Sequence, residues 1–199
     1  EVGDLNTARE RIGNAGQGTT TASLAFGGET PSVTGAAESF DGSSWTEVGD
    51  LNTARAYISS FGTSTAAVAA QGYPPDTSAV EEWNGTSWTE VTNTPEAASS
   101  GAASGTQTAG LIFGGYDTTP ARNNEAFSYD GTNWTEEANI NTARHNLCGA
   151  GIQTSTLIFA GDEPPSTGKT ESYDGSVWTE VADLSTARIV AGAAGASNL

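Results

Sequence analysis

Four times along this chain an aromatic residue meets Asp-Gly or Asn-Gly, and a tryptophan follows three residues after the glycine. The copies read Phe40-Asp41-Gly42-Ser43-Ser44-Trp45, Trp83-Asn84-Gly85-Thr86-Ser87-Trp88, Tyr129-Asp130-Gly131-Thr132-Asn133-Trp134 and Tyr173-Asp174-Gly175-Ser176-Val177-Trp178. The tryptophans stand 43, 46 and 44 residues apart. A period in the low-to-mid forties means that one small structural unit is repeated and stacked. Within each copy, Asp/Asn-Gly between two β-prone runs predicts a hairpin with a two-residue turn, because that dipeptide accepts positive φ angles.

The residues around the hairpin repeat as well. Thr7-Ala8-Arg9 returns at 53–55, 142–144 and 186–188, and is degenerate in the third copy as Thr94-Pro95-Glu96. After each comes a segment of small residues, at 12–16, 58–62, 100–104 and 147–151. Gly and Ala weaken an isolated strand, so their recurrence predicts strands crowded around a common axis. Apolar runs follow: Leu24-Ala25-Phe26-Gly27-Gly28, Leu111-Ile112-Phe113-Gly114-Gly115 and Leu157-Ile158-Phe159-Ala160-Gly161. Unbroken apolarity of this kind predicts burial on both faces. No segment carries helical periodicity, so each repeat yields four strands, and four strands per repeat of this length is a propeller blade.

The order Thr-Ala-Arg, small-residue strand, apolar strand ending Gly-Gly, Glu-x-aromatic, then Trp resembles the kelch repeat, and the resemblance covers essentially the whole chain. It is carried by Gly27-Gly28 and Gly114-Gly115, by Glu38-Ser39-Phe40, Glu81-Glu82-Trp83 and Glu171-Ser172-Tyr173, and by the four tryptophans. The wording Trp-Thr-Glu-Val-x-Asp-Leu-x-Thr-Ala-Arg also resembles kelch-like arrays in structural proteins of phages and environmental bacteria. The resemblance implies an all-β, kelch-type β-propeller with four-stranded blades at about 7–51, 52–93, 94–140 and 141–185. Partial strands remain at 1–6 and 186–199. The segment 186–199 is expected either to dock on another copy of the chain or to continue into further blades. A chain opening inside a repeat, without an initiating Met or signal peptide, reads as a processed product or a piece of something longer.

Acidic residues outnumber basic ones 24 to 7, for a net charge of −17. A phosphate-binding surface needs clustered Lys and Arg, so nucleic acid is excluded as a partner. No apolar run reaches the length of a membrane helix, so no membrane insertion is expected. The acidity, the abundance of Thr, Ser and Gly, and the sequons at Asn84 and Asn133 point to an extracellular or virion surface.

Catalytic chemistry is sparsely supplied. His145 is the only histidine and Cys148 the only cysteine, which excludes a multi-histidine metal site and any intrachain disulfide. The kelch resemblance extends to an oxidase, but its copper site takes two histidines. The expectation is therefore no enzyme, no metal and no cofactor, with His145 and Cys148 structural on opposite faces of one inner strand. Residues that recur with the repeat are read as structural: Trp45, Trp88, Trp134 and Trp178 as packing between blades, and Arg9, Arg55, Arg144 and Arg188 as ion-pair partners of Glu38, Glu81 and Glu171. The segments that vary are the loops 29–35, 73–79, 116–124 and 162–169. They carry Tyr73, Tyr116, Arg122 and Lys169 as candidate ligand residues. The leading functional reading is a non-enzymatic structural or adhesive module of a virion, filament or cell surface, assembling with copies of itself or other protein chains. The alternative is a propeller that binds glycans through those loops.

Overall fold

A computed structural model describes all residues except 1, 118–120, 165, 194 and 196–199. The described chain is all-β, with no helix, and forms four antiparallel sheets built from consecutive strands. The first sheet contains β1 (Gly13–Asn14), β2 (Ser23–Phe26), β3 (Ala37–Phe40) and β4 (Trp45–Val48). The second contains β5 (Ser59–Thr63), β6 (Ala66–Ala70), β7 (Val80–Trp83) and β8 (Trp88–Glu90). In the third, a short β9 (Ala98–Ser99) joins β10 (Ala102–Thr106), β11 (Ala109–Asp117), β12 (Arg122–Tyr129) and β13 (Trp134–Glu136). The fourth contains β14 (Cys148–Ile152), β15 (Ser155–Phe159), β16 (Thr170–Tyr173) and β17 (Trp178–Val181). Four successive four-stranded meanders are consistent with the blades of a β-propeller.

The hairpin loops differ from the sequence expectation. Phe40 pairs with Trp45 and Tyr129 with Trp134, so each loop has four residues rather than two. Only the glycine takes a positive φ, +99° at Gly42 and +92° at Gly131. The Asp does a different job. Asp41 Oδ1 accepts the N–H groups of Ser43 and Ser44 at 2.8 and 2.9 Å, and Asp130 and Asp174 do the same in their loops. Those N–H groups hold the three carboxyls below the ordinary range. The loop is a side-chain-capped turn.

The small-residue strands stand side by side, β1 beside β5, β5 beside β10 and β10 beside β14. They surround a cavity of about 650 Å³. Bulk is excluded here for a concrete reason: a Cβ at Gly13 would lie 2.5 Å from the Phe26 ring, and one at Gly149 2.3 Å from Phe113. Consecutive sheets are packed together by aromatic pairs. Phe26 meets Trp88 at 4.7 Å between ring centroids, Phe61 meets Trp134 at 6.5 Å, and Phe113 meets Trp178 at 5.5 Å. Trp88 and Trp178 are buried, while Trp45 and Trp134 are half-buried. Trp45 packs on Phe40 of its own sheet. The fourth sheet reaches the first through Gln17 Nε2, which donates to the Gly151 carbonyl at 3.1 Å.

Three of the four linkers are locked by one device. Asn52 donates its backbone N–H and its side-chain amide to Glu81 Oε2 at 2.7 and 2.8 Å, and Glu81 in turn takes Arg55 at 2.5 Å. Asn141 with Glu171 and Arg144 repeats it, and Asn6 with Glu38 and Arg9 does so through the Asn6 backbone N–H, the Asn6 amide donating to the Trp45 carbonyl at 3.0 Å. The arginine carbonyl then accepts from the preceding sheet: Gly28 N–H to Arg55, Gly115 to Arg144 and Gly161 to Arg188, each at 3.0 Å. Gly72 bonds Ala98 instead, at 2.9 Å. All four of these glycines have positive φ, whereas the preceding position tolerates Gln71 and Ala160 at φ of +61° and +63° beside Gly27 and Gly114. The second glycine is strict because its φ, +93° at Gly28, +124° at Gly72, +120° at Gly115 and +113° at Gly161, lies beyond the left-handed well near +60° that a side chain can occupy.

Candidate functional site

The left-handed residues that follow each linker form a rim at one end of the cavity. Tyr57, Ser100 and Asn146 have φ of +55°, +58° and +52°. Ser100 N–H donates to Tyr57 O at 3.0 Å, and Asn146 N–H donates to Ser100 O at 2.8 Å. Tyr57 N–H reaches back to Arg11 O, and Val190 N–H to Asn146 O, each at 3.1 Å. These bonds tie four sheets' linkers into one continuous backbone string. Its outer side opens into a second cavity of about 490 Å³, which shares Tyr57, Ser100 and Asn146 with the first.

Three tyrosines wall this cleft. Tyr57 and Tyr73 meet edge to face at 6.4 Å, and Tyr116 lies 5.2 Å from the His145 ring. Tyr73 is 48 % exposed. Its ring therefore offers an open apolar face, and an aromatic with one wet face is a typical stacking surface. Arg11 sits over the other side of Tyr57, its guanidinium carbon 4.8 Å from the ring centre, and is itself ion-paired to Glu29.

Polar groups converge between the rings. Arg122 Nε donates to the Asp162 carbonyl at 3.0 Å, and its Nη2 reaches Asp162 Oδ2 at 3.4 Å. His145 Nε2 lies 3.6 Å from the same carboxylate oxygen. Burial lowers the imidazole pKa more than Asp162 raises it, so the ring is neutral at pH 7. Asp76 completes the lining. Its Oδ1 and the Nδ1 of His145 are buried without a hydrogen-bond partner among the described residues. Buried polar atoms are ordinarily paired; Arg9 Nε, Trp88 Nε1 and Arg144 Nε are likewise without a partner among the described residues, away from the cleft.

Three of the four candidate ligand residues thus come together here: Tyr73, Tyr116 and Arg122. Lys169 does not. Its Nζ is bound to Thr142 Oγ1 at 3.2 Å and Glu163 at 3.1 Å. The segment 116–124, expected as a loop, is mostly strand: β11 runs to Asp117 and β12 starts at Arg122, while 118–120 fall outside the described residues. His145 precedes its strand instead of lying on it, pairs with Asp162 in an isolated bridge, and faces the cleft. Cys148 starts β14 and borders the larger cavity. Tyr57, Asp76, His145 and Asp162 were not legible as ligand residues. The available signal was Tyr57 itself, a large residue opening a segment otherwise made of small ones.

Among the described residues, no group of three or more His, Cys, Asp and Glu side chains is arranged to hold a metal ion, and no helix is long and apolar enough to cross a membrane. The four tryptophans and Gly27, Gly28, Gly114 and Gly115 lie outside the cleft lining, as do Arg9, Arg55 and Arg144. Arg188 is exposed and donates to Thr186 O at 3.4 Å. No family model matches the chain, and no curated protein matches it.

Proposed function

We propose that this chain is a kelch-type β-propeller acting as a non-enzymatic adhesive module that binds a glycan in the tyrosine-walled cleft. The carrying observation is the convergence of Tyr57, Tyr73 and Tyr116 with Asp76, Arg122 and Asp162 in a surface cavity of about 490 Å³. Sugars are recognised by this combination of flat apolar faces and fixed hydrogen-bonding groups. Nucleophilic chemistry finds little support there, because His145 Nδ1 has no hydrogen-bond partner to activate and its Nε2 faces a carboxylate. The acid-rich composition fits an extracellular or virion surface. A glycan array probed with the full chain tests the reading: binding is expected, and Tyr73→Ala or Tyr116→Ala should abolish it without unfolding the protein. An array with no positive glycan, or binding indifferent to both substitutions, would reject it.

A purely structural, self-assembling role rests on a different observation. Arg188 occupies the linker-arginine position against Gly161, yet it is exposed and has no ion-pair partner among the described residues. Trp45 likewise has no ring from another sheet against it among the described residues. Association of copies through this junction would supply both. Light scattering that shows oligomers, lost in Trp45→Ala, is the result expected if that role holds.

A further inference from the structure

The charge in the cleft is unevenly spent. Arg122 is committed to Asp162 through two contacts. Arg11 is held by Glu29 and Glu10 and covers one side of Tyr57. His145, facing Asp162 and Arg122, carries no positive charge at pH 7 because burial disfavours the imidazolium. Both cations near the cleft are therefore matched by carboxylates. Asp76, half-buried in the lining, is not: its Oδ1 has no donor, and no cation is paired with it, among the described residues. A carboxylate in that position lacks the donor it would ordinarily have. Aromatic faces nearby add attraction for positive charge, since their π-systems are negative at the centre. At longer range, the net charge of −17 concentrates cations at the surface and repels anions.

We infer that the cleft prefers a basic glycan, an amino sugar with a free ammonium group, over neutral or acidic ones. The ammonium donates to the Asp76 carboxylate, and the ring's C–H face lies on the exposed tyrosine. This rests on the glycan-binding reading and adds the charge of the ligand to it.

The test compares three probes on the full chain by calorimetry at about pH 7, where His145 is neutral and an ordinary amine is protonated. They are an oligomer of glucosamine, its fully N-acetylated counterpart and an oligomer of a uronic acid. The glucosamine oligomer should bind at least about tenfold more tightly than the N-acetylated one, as a charge-assisted bond replaces a neutral one. The uronic acid oligomer should bind weakest. Asp76→Asn should erase the difference between the first two while leaving N-acetylated binding in place, and added salt should weaken only the glucosamine complex. If the acetylated or acidic oligomer binds as well as the free amine, the basic-ligand inference is wrong and glycan binding survives. If none of the three binds and the array is blank as well, the glycan reading has failed and takes this one with it.

Discussion

The second and third sheets meet the same structural demand in different ways. In the second, Arg55 and Glu81 are each 1 % exposed and ion-paired at 2.5 Å. The guanidinium also donates to the carbonyls of Gln71, Ala69 and Thr53, each at 3.0 Å. In the third sheet the corresponding positions are apolar. Ala98 supplies the carbonyl that Arg55 supplies elsewhere, and Phe127 stands opposite Glu136 where Glu81 stands opposite Glu90. Charge has been replaced on both sides at once. That is the replacement that physics allows, since a buried ion pair costs nearly as much desolvation as it returns in attraction, while half a pair is ruinous.

The swap is accompanied by a longer ladder. β6 and β7 have 5 and 4 residues, while β11 and β12 have 9 and 8. Without a guanidinium to satisfy the carbonyls at the strand ends, the two strands go on satisfying each other. After a register shift between Phe113 and Gly115 they continue to the pair Tyr116 and Arg122. Those two residues, with Ser99 of β9 and Ser100 after it, are the third sheet's contribution to the cleft. A local exchange of ionic for apolar packing thus coincides with the place where function is proposed.

The largest expected effects break one half of the ionic solution. Arg55→Ala leaves Glu81 buried and unpaired and should cost about 3–5 kcal/mol. For a chain of this size that lowers Tm by roughly 10 °C in a thermal melt. Phe127→Glu should be comparably damaging in the third sheet, since it buries a charge that has no arginine. A tolerated Phe127→Glu would show that the two sheets are not alternatives at all.

Next come the tryptophans that hold consecutive sheets together. Trp178→Ala removes a ring packed on Phe113 and should cost about 3–5 kcal/mol. Trp45→Ala, half-buried against its own sheet, should cost clearly less, on the order of 1–2 kcal/mol for the smaller area returned to water. Equal denaturation midpoints for the two variants would mean that the first sheet's tryptophan is packed as tightly as the fourth's.

The double change Arg55→Ala with Glu81→Phe transplants the third sheet's solution into the second. It should recover most of the loss and leave a deficit of no more than about 2 kcal/mol, the remainder being strands not shaped for the new ring. A double variant less stable than Arg55→Ala would show that strand length, and not polarity, is what allows the apolar version.

The smallest effect concerns pH at the cleft edge. His145 is lowered in the folded state by burial, so the unfolded chain binds its proton more readily. Its contribution is present above the ordinary imidazole value of about 6.5 and is lost as pH falls below it towards the folded pKa. Tm should therefore decline on acidification from neutrality, and His145→Gln should flatten that part of the profile. Tyr173 behaves oppositely in charge: burial and Glu137 push its hydroxyl up to about 12, outside this window.

The hairpins, the four strands per repeat and the recurrence of Arg with Glu could all be read from the chain. Each depends on neighbours in sequence or on a spacing that recurs. Even so, the Asp-Gly loops misled. The dipeptide signals a tight turn, but the Asp side chain found two N–H groups ahead of it, and a four-residue loop won. The third repeat was harder. Glu125-Ala126-Phe127 satisfies the same Glu-x-aromatic pattern by eye, yet strand register puts Phe127 opposite Glu136, and Glu125 instead accepts from the Asn123 amide at 3.0 Å.

What the sequence determined by itself was the unit: the strand order, the glycine that only a left-handed backbone accommodates, and the small residues that let strands crowd together. Those are matters of local conformation and period, and they repeat because the unit repeats. The cleft was decided only by tertiary structure. Tyr57, Ser100 and Asn146 occupy one repeat position and Tyr73, Tyr116 and Asp162 another, at the tryptophan spacings of 43 and 46 residues, but the residue type changes from copy to copy, so the period does not mark them as ligand residues. They meet because the linker backbones are joined end to end around one rim, and a ligand surface assembled across units is invisible to any pattern confined within one.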